Sequence, residues 1–155
     1  MLSKRPLKEY SSKRNLKKSG EPKAIIKISK TKPKKLIYII HEHHATHLHY
    51  DLRLEMNGVL KSWAVPKEPP LKKGIKRLAV QVEDHPLSYA KFKGEIKEGY
   101  GKGIVKIYDN GFYELESKKT NKIVFILHGK KLKGKYVLLK TNCGKNKKGW
   151  LWFNI

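Results

Sequence analysis

Residues 41 to 51, HEHHATHLHYD, hold five of the chain's seven histidines together with an aspartate. Imidazole nitrogens and carboxylate oxygens are the donors that divalent transition metals take, so this density points to a metal site. If residues 49 to 56 form a strand, His49, Asp51 and Arg53 project from one face and Tyr50, Leu52 and Leu54 from the other. One face is then a site and the other a core. Such a mixed nitrogen and oxygen set leaves coordination positions open for water and phosphate oxygens. A further ligand must come from upstream, and spacing leaves His41, His43, His44 and His47 all eligible. The bland alternative is a histidine-rich surface turn that binds nothing.

Arg53 on the same face suits a phosphate, which its planar fork can grip through two charge-assisted hydrogen bonds. The competing reading pairs it with Glu55 or Glu83. A second polar face follows on the strand ending at His85. There Arg77, Gln81, Glu83 and His85 fall at period two, with Leu78, Val80 and Val82 opposite.

The elements that must position these groups read as strands. His49 to Met56 alternates strictly, ends in Asn57-Gly58, the strongest short hairpin signal, and returns as Val59 to Val65. Pro66 and Glu68-Pro69-Pro70 impose a loop. Further strands are predicted at Leu36 to Ile40, Leu78 to Val82, Ile123 to Leu127, Tyr136 to Lys140 and Trp150 to Ile155. Ile104 to Tyr108 and Phe112 to Leu115 flank Asp109-Asn110-Gly111 as a second hairpin. With no long amphipathic helix after residue 36, the expectation is a mainly β protein: a small closed or partly closed β barrel over residues 36–155. Alternation places Trp63, Trp150 and Trp152 in the barrel wall rather than on bases.

Lys and Arg number 36 against 13 Asp and Glu, a net charge of +23, which calls for a polyanionic partner, nucleic acid before an anionic membrane. Residues 1–35 carry 13 of those cations and only Glu9 and Glu21, so they are expected to be a basic, partly disordered arm. No apolar run approaches the roughly 20 residues of a membrane span, and the N-terminus lacks a signal-like stretch. A cytosolic monomer is expected. The single Cys143 reads as an incidental thiol.

The motifs HLHYDLRLE (47–55), GVLKSWAVPK (58–67), VEDHPLSYA (82–90) and LKGKYVLLKT (132–141) resemble the 3′-phosphoesterase domain at the N-terminus of bacterial DNA ligase D. Stand-alone relatives of that domain also exist. A weaker likeness runs through EYSSKRNLKKSGEP (9–22). The resemblance implies a small β barrel with a crescent-shaped groove and a manganese-dependent 3′ end-healing activity in end joining. Such enzymes remove a 3′-terminal ribonucleoside, and many then remove the 3′ phosphate. It implies His43, His49 and Asp51 as metal ligands, Arg53 and Arg77 as phosphate-binding arginines, and His85 as an essential histidine that donates a hydrogen bond or proton. Lys67 and Tyr89 would support the pocket, and Arg14 and Glu21 would reach it from the arm. Asn15 stands where Asp is usual, His41 where Gln is usual, and the loop Glu98-Gly99-Tyr100-Gly101 is one residue short of the common form. The partner would be a nucleic acid 3′ end, with joining left to a separate DNA ligase. The rival readings are a non-catalytic basic nucleic-acid-binding barrel and a metal-storage or sensor protein.

Overall fold

The computed structural model describes residues 7–14, 19, 21, 35–141 and 147–155. Asn15 and Cys143 lie outside the described residues. One short helix, α1 (Lys8–Ser12), precedes nine strands: β1 (Leu36–His44), β2 (Leu48–Met56), β3 (Val59–Val65), β4 (Lys76–Pro86), β5 (Gly94–Ile96), β6 (Gly103–Lys118), β7 (Lys122–His128), β8 (Lys133–Lys140) and β9 (Gly149–Asn154). A 3₁₀ helix, Leu87–Lys91, links β4 to β5. All pairings are antiparallel. The order β1-β2-β3-β4-β9-β8-β7-β6 closes on itself because β1 also pairs with β6, and β5 extends the other end of β6. Closure leaves these eight strands without an open edge. No helix among the described residues is long and apolar enough to cross a membrane.

The alternation read in β2 is realised. Tyr50, Leu52, Leu54 and Met56 join a buried cluster to which every one of the eight barrel strands contributes, including Trp63, Phe125, Tyr136, Trp150 and Trp152. That cluster fills the barrel, and each large side chain buried there stabilises the fold by roughly 2 kcal/mol. The three tryptophans are therefore core. Asn57 and Gly58, at φ 53 and 81, make the tight hairpin between β2 and β3 that their sequence predicts.

The second hairpin expected from the sequence does not form, since β6 runs unbroken through Asp109-Asn110-Gly111. The carboxylate of Asp109 has another task. It accepts from the Tyr38 hydroxyl at 2.7 Å and from the backbone amides of Lys130, Lys131 and Leu132 at 3.1, 3.2 and 2.9 Å. Gly111 is needed for closeness, because a Cβ there would meet the His128 carbonyl oxygen at 2.3 Å. Turn-forming residue types are thus spent on bracing the β7–β8 loop against the barrel wall.

A smaller apolar cluster lies on the other side of the wall. Leu7 and Tyr10 of the N-terminal segment pack there with Ile39, Val59, Leu60 and Tyr89. So β1 and β3 are covered on both faces, and Tyr89 of the outer covering also lines the pocket described next.

Candidate metal and phosphate site

Strand β1 extends past Ile40 to His44, which places His43 directly opposite His49 and His41 directly opposite Asp51 on β2. One donor atom from each of His43, His49 and Asp51 lies within 4.8 Å of the others. Of the four upstream histidines that spacing left eligible, His43 is the one brought to His49 and Asp51, and these three could hold a metal ion. His41 is turned to another use, and His44 bonds Glu42 at 2.6 Å.

Hydrogen bonds fix which nitrogen each ligand presents. Nε2–H of His43 donates to the Gly101 carbonyl at 2.6 Å, leaving the Nδ1 lone pair facing Asp51 at 3.7 Å. Nδ1–H of His49 donates to the His47 carbonyl at 3.3 Å, leaving Nε2 at 3.3 Å from the same carboxylate oxygen. Carbonyl partners of this kind set the tautomer and ring orientation of metal-binding histidines. Burial raises the Asp51 pKa, but the Arg53 charge, aided by the neighbouring imidazoles of His43 and His49, outweighs it and holds the carboxyl well below its ordinary value. Asp51 is thus an anion ready to ligate. The donor set, its tautomers and its charge fit a divalent metal.

Arg53 is buried and clamped. Its Nε donates to His41 Nδ1 at 3.1 Å, one terminal nitrogen donates to Ser62 Oγ at 2.9 Å, and the other lies 3.5 Å from Asp51. The Tyr89 ring sits under its guanidinium at 4.9 Å. Neither Glu55 nor Glu83 is its partner. His41 can accept because its Nε2–H donates to the Phe92 carbonyl at 2.9 Å, and burial together with the Arg53 charge lowers its pKa to about 3.

The described part of the arm reaches the same pocket. Arg14 donates from Nε to Glu21 at 2.9 Å, and from its terminal nitrogens to Glu83 at 2.8 Å and His85 Nε2 at 3.2 Å. The Tyr89 hydroxyl donates to Glu21 at 2.7 Å. Nδ1–H of His85 bonds the Glu83 carbonyl at 3.0 Å, so Nε2 is an acceptor. Burial first, then the charges of Arg53 and Arg14, hold the His85 pKa well below 6.5. In this arrangement His85 is a neutral acceptor, where the sequence reading made it a donor.

These groups line one pocket of about 240 Å³, with Ala64, Val82, Ile96, Tyr100 and Gly101. Two expected members stand apart. Lys67 is exposed, and Arg77 donates from Nε to the Glu68 carbonyl, both outside that lining. The reason lies in the register of β4. Leu60 pairs with His85 but Ser62 pairs with Val82, so β4 carries one extra residue between them. That bulge inverts the alternation. Ala79, and with it Arg77 and Gln81, has the parity of the barrel interior, whereas Val82, Glu83 and His85 all line the pocket. Sequence reading missed Ser62, Gly101 and Tyr100. Only the shortened loop that carries the last two gave any signal.

Fold and site together define a small β barrel with a metal-ready, cationic pocket on the outer side of its wall. The chain belongs to the DNA ligase D 3′-phosphoesterase domain family, whose model matches residues 41–140. It is 44% identical to the multifunctional non-homologous end joining protein LigD of Pseudomonas aeruginosa over a gapped alignment of 161 positions that covers 97% of this chain. It is 43% identical to the protein of that name from Mycolicibacterium smegmatis over a gapped alignment of 159 positions that covers 94% of this chain. Identity reaches 47% over 110 residues, 68% of this chain, with the multifunctional non-homologous end joining DNA repair protein LigD of Mycobacterium tuberculosis. The chain spans only 18%, 20% and 14% of those three proteins.

Proposed function

We propose that the chain is a manganese-dependent phosphoesterase that heals 3′ ends of nucleic acid strands, removing a 3′-terminal ribonucleoside, a 3′ phosphate or both. The observation that carries this reading is the convergence of His43, His49 and Asp51 within 4.8 Å, with the Arg53 guanidinium 3.5 Å from Asp51. The family membership and the names of the relatives, which concern end joining, support the same substrate class.

When bound, a divalent metal held by His43, His49 and Asp51 would supply positive charge against a phosphate oxygen, screening the anion's charge so that an attacking water can approach. Arg53 is held by His41 and Ser62, so its charge needs no rearrangement as negative charge builds on the phosphoryl group. Arg14 adds a second guanidinium, kept in place by Glu21 and Glu83. His85 acts as a neutral base or orienting acceptor through Nε2, since two nearby guanidiniums oppose its protonation. Tyr89 and Glu21 position Arg14 and the underside of Arg53. Lys67 and Arg77, outside the pocket and next to the loop after β3, serve the flanking strand rather than the reacting phosphate.

A labelled primer ending in a single ribonucleotide, incubated with and without manganese, tests the proposal. The expected products are a strand shortened by one nucleoside with a 3′ phosphate, then its 3′ hydroxyl form, with manganese only. Tight binding with no cleavage in either condition would instead establish the non-catalytic barrel, which the charge of +23 favours taken alone.

A further inference from the structure

Tyr100 stands out in the pocket for being wet. Among the described residues that line it, Tyr100 is the one large aromatic that stays exposed, at 46%, while Tyr89 at the same pocket is buried at 2%. An aromatic ring left half in water at the mouth of a charged pocket keeps apolar surface that a base can cover. Its position is not left to loop chance. Gly99 and Gly101 on either side have φ of 84 and 79, conformations that let the chain reverse sharply around the tyrosine. The Gly101 carbonyl is bonded at 2.6 Å to Nε2 of the metal ligand His43, so the residue next to Tyr100 is tied to the metal centre. Lys13 and the Arg14 guanidinium lie over the ring at 5.0 and 5.2 Å from its centre, so cation–π contacts hold the ring toward the pocket while about half of it stays in water.

We propose that Tyr100 is a substrate-positioning residue that stacks on the base of the 3′-terminal nucleoside while its phosphodiester occupies the His43, His49 and Asp51 site. This deepens the proposed function and rests on it. Aromatic stacking tolerates any base, because every base has a π face, which suits an enzyme that trims ends of any sequence. A ring hung beside a metal ligand is also well placed for the nucleoside attached to a metal-bound phosphate. Hydrolysis of that phosphodiester breaks the bond to the terminal nucleoside, water adding to phosphorus and its proton passing to the leaving oxygen. Tyr100 takes no part in the proton or bond changes and contributes through binding.

The test compares two primers, one with a complete 3′ ribonucleotide and one whose terminal residue is an abasic ribose. Wild type is expected to cleave the complete end with a kcat/KM about tenfold or more above the abasic end, through KM. Tyr100→Ala should lose that preference, and Tyr100→Phe, which keeps the ring, should restore it. Manganese affinity, measured by calorimetry on all three proteins, separates stacking from a disturbed Gly101–His43 contact, and should be the same in each. A preference retained by Tyr100→Ala overturns this inference and leaves the proposed function standing. So does a weaker manganese affinity that by itself accounts for the loss. No cleavage of either end by wild type overturns both.

Discussion

Nε of Arg53 donates a hydrogen bond to Nδ1 of His41 at 3.1 Å, inside the wall that carries His43, His49 and Asp51. A buried guanidinium thus rests on a neutral imidazole, whose own proton is committed to the Phe92 carbonyl. Lysine at position 53 would keep the charge but could not hold His41 and Ser62 while facing a phosphate. Arg53→Lys is expected to fold and to lose at least about a hundredfold in kcat, since a preorganised donor aimed at developing charge is worth that much. Steady-state kinetics on the 3′-ribonucleotide primer check it, with circular dichroism confirming the fold.

His49→Ala and His85→Ala should fail differently. Without His49 the metal keeps two of three ligands, so manganese binding and turnover are both expected to disappear. Without His85 the ligand set is intact, so manganese titrated by calorimetry should still bind while turnover falls. Loss of metal in His85→Ala would make it a ligand and refute the role given to it here.

Gly101→Ala is expected to weaken manganese binding although the residue touches no metal. Its φ of 79 disfavours any side chain, and a Cβ would sit 3.2 Å from Cε1 of His43. The strain falls on the loop whose carbonyl fixes the His43 tautomer. An affinity loss of about tenfold is expected by calorimetry, and an unchanged affinity would show that the His43 ring needs no such partner.

Acid should destabilise the metal-free protein earlier than carboxylates alone would dictate. The pKa of His41 is depressed to about 3 and that of His85 well below 6.5, so the stability they contribute is complete above about 6.5, the unfolded value, and is lost as pH falls through the folded values. Each costs about 1.4 kcal/mol per pH unit in that window. His49 works in the opposite sense, because its hydrogen bond to Asp51 raises its pKa against the effect of burial. Urea unfolding with chelator at pH 7.0 and 5.5 should show a net loss on acidification. His41→Gln, which removes one titrating group, should flatten it by about one imidazole's share.

Much of the site was legible because β2 is regular. A strict alternation from His49 to Met56 and an Asn57-Gly58 turn are local properties, and they determine which face carries Asp51 and Arg53. What was illegible depended on pairing across the barrel. No local pattern says that β1 continues to His44 in register with His49, which is what brings His43 rather than His47 to Asp51. Asp109-Asn110-Gly111 has the composition of a turn, but a buried carboxylate with four donors and a glycine pressed on a neighbouring backbone produce the same three letters. The β4 bulge was invisible for the same reason, and it separates Arg77 from His85 despite their even spacing.

That bulge gives one strand two allegiances. Up to Gln81, the odd positions of β4 answer to the packing of the barrel, and from Glu83 onward they answer to chemistry. Deleting a single residue at 83 or 84 would restore plain alternation from Val82 to His85, leaving His85 outward but taking Glu83 from its place beside Arg14 without disturbing a residue of the original core. Conversely, the barrel interior can be repacked for heat tolerance from Ala79 to Trp152 while the outer wall keeps its inventory. Across β1 to β4, durability and reactivity are written on opposite sides of the same ribbon, and a saturation scan of this chain would read them as two interleaved stripes that change places once.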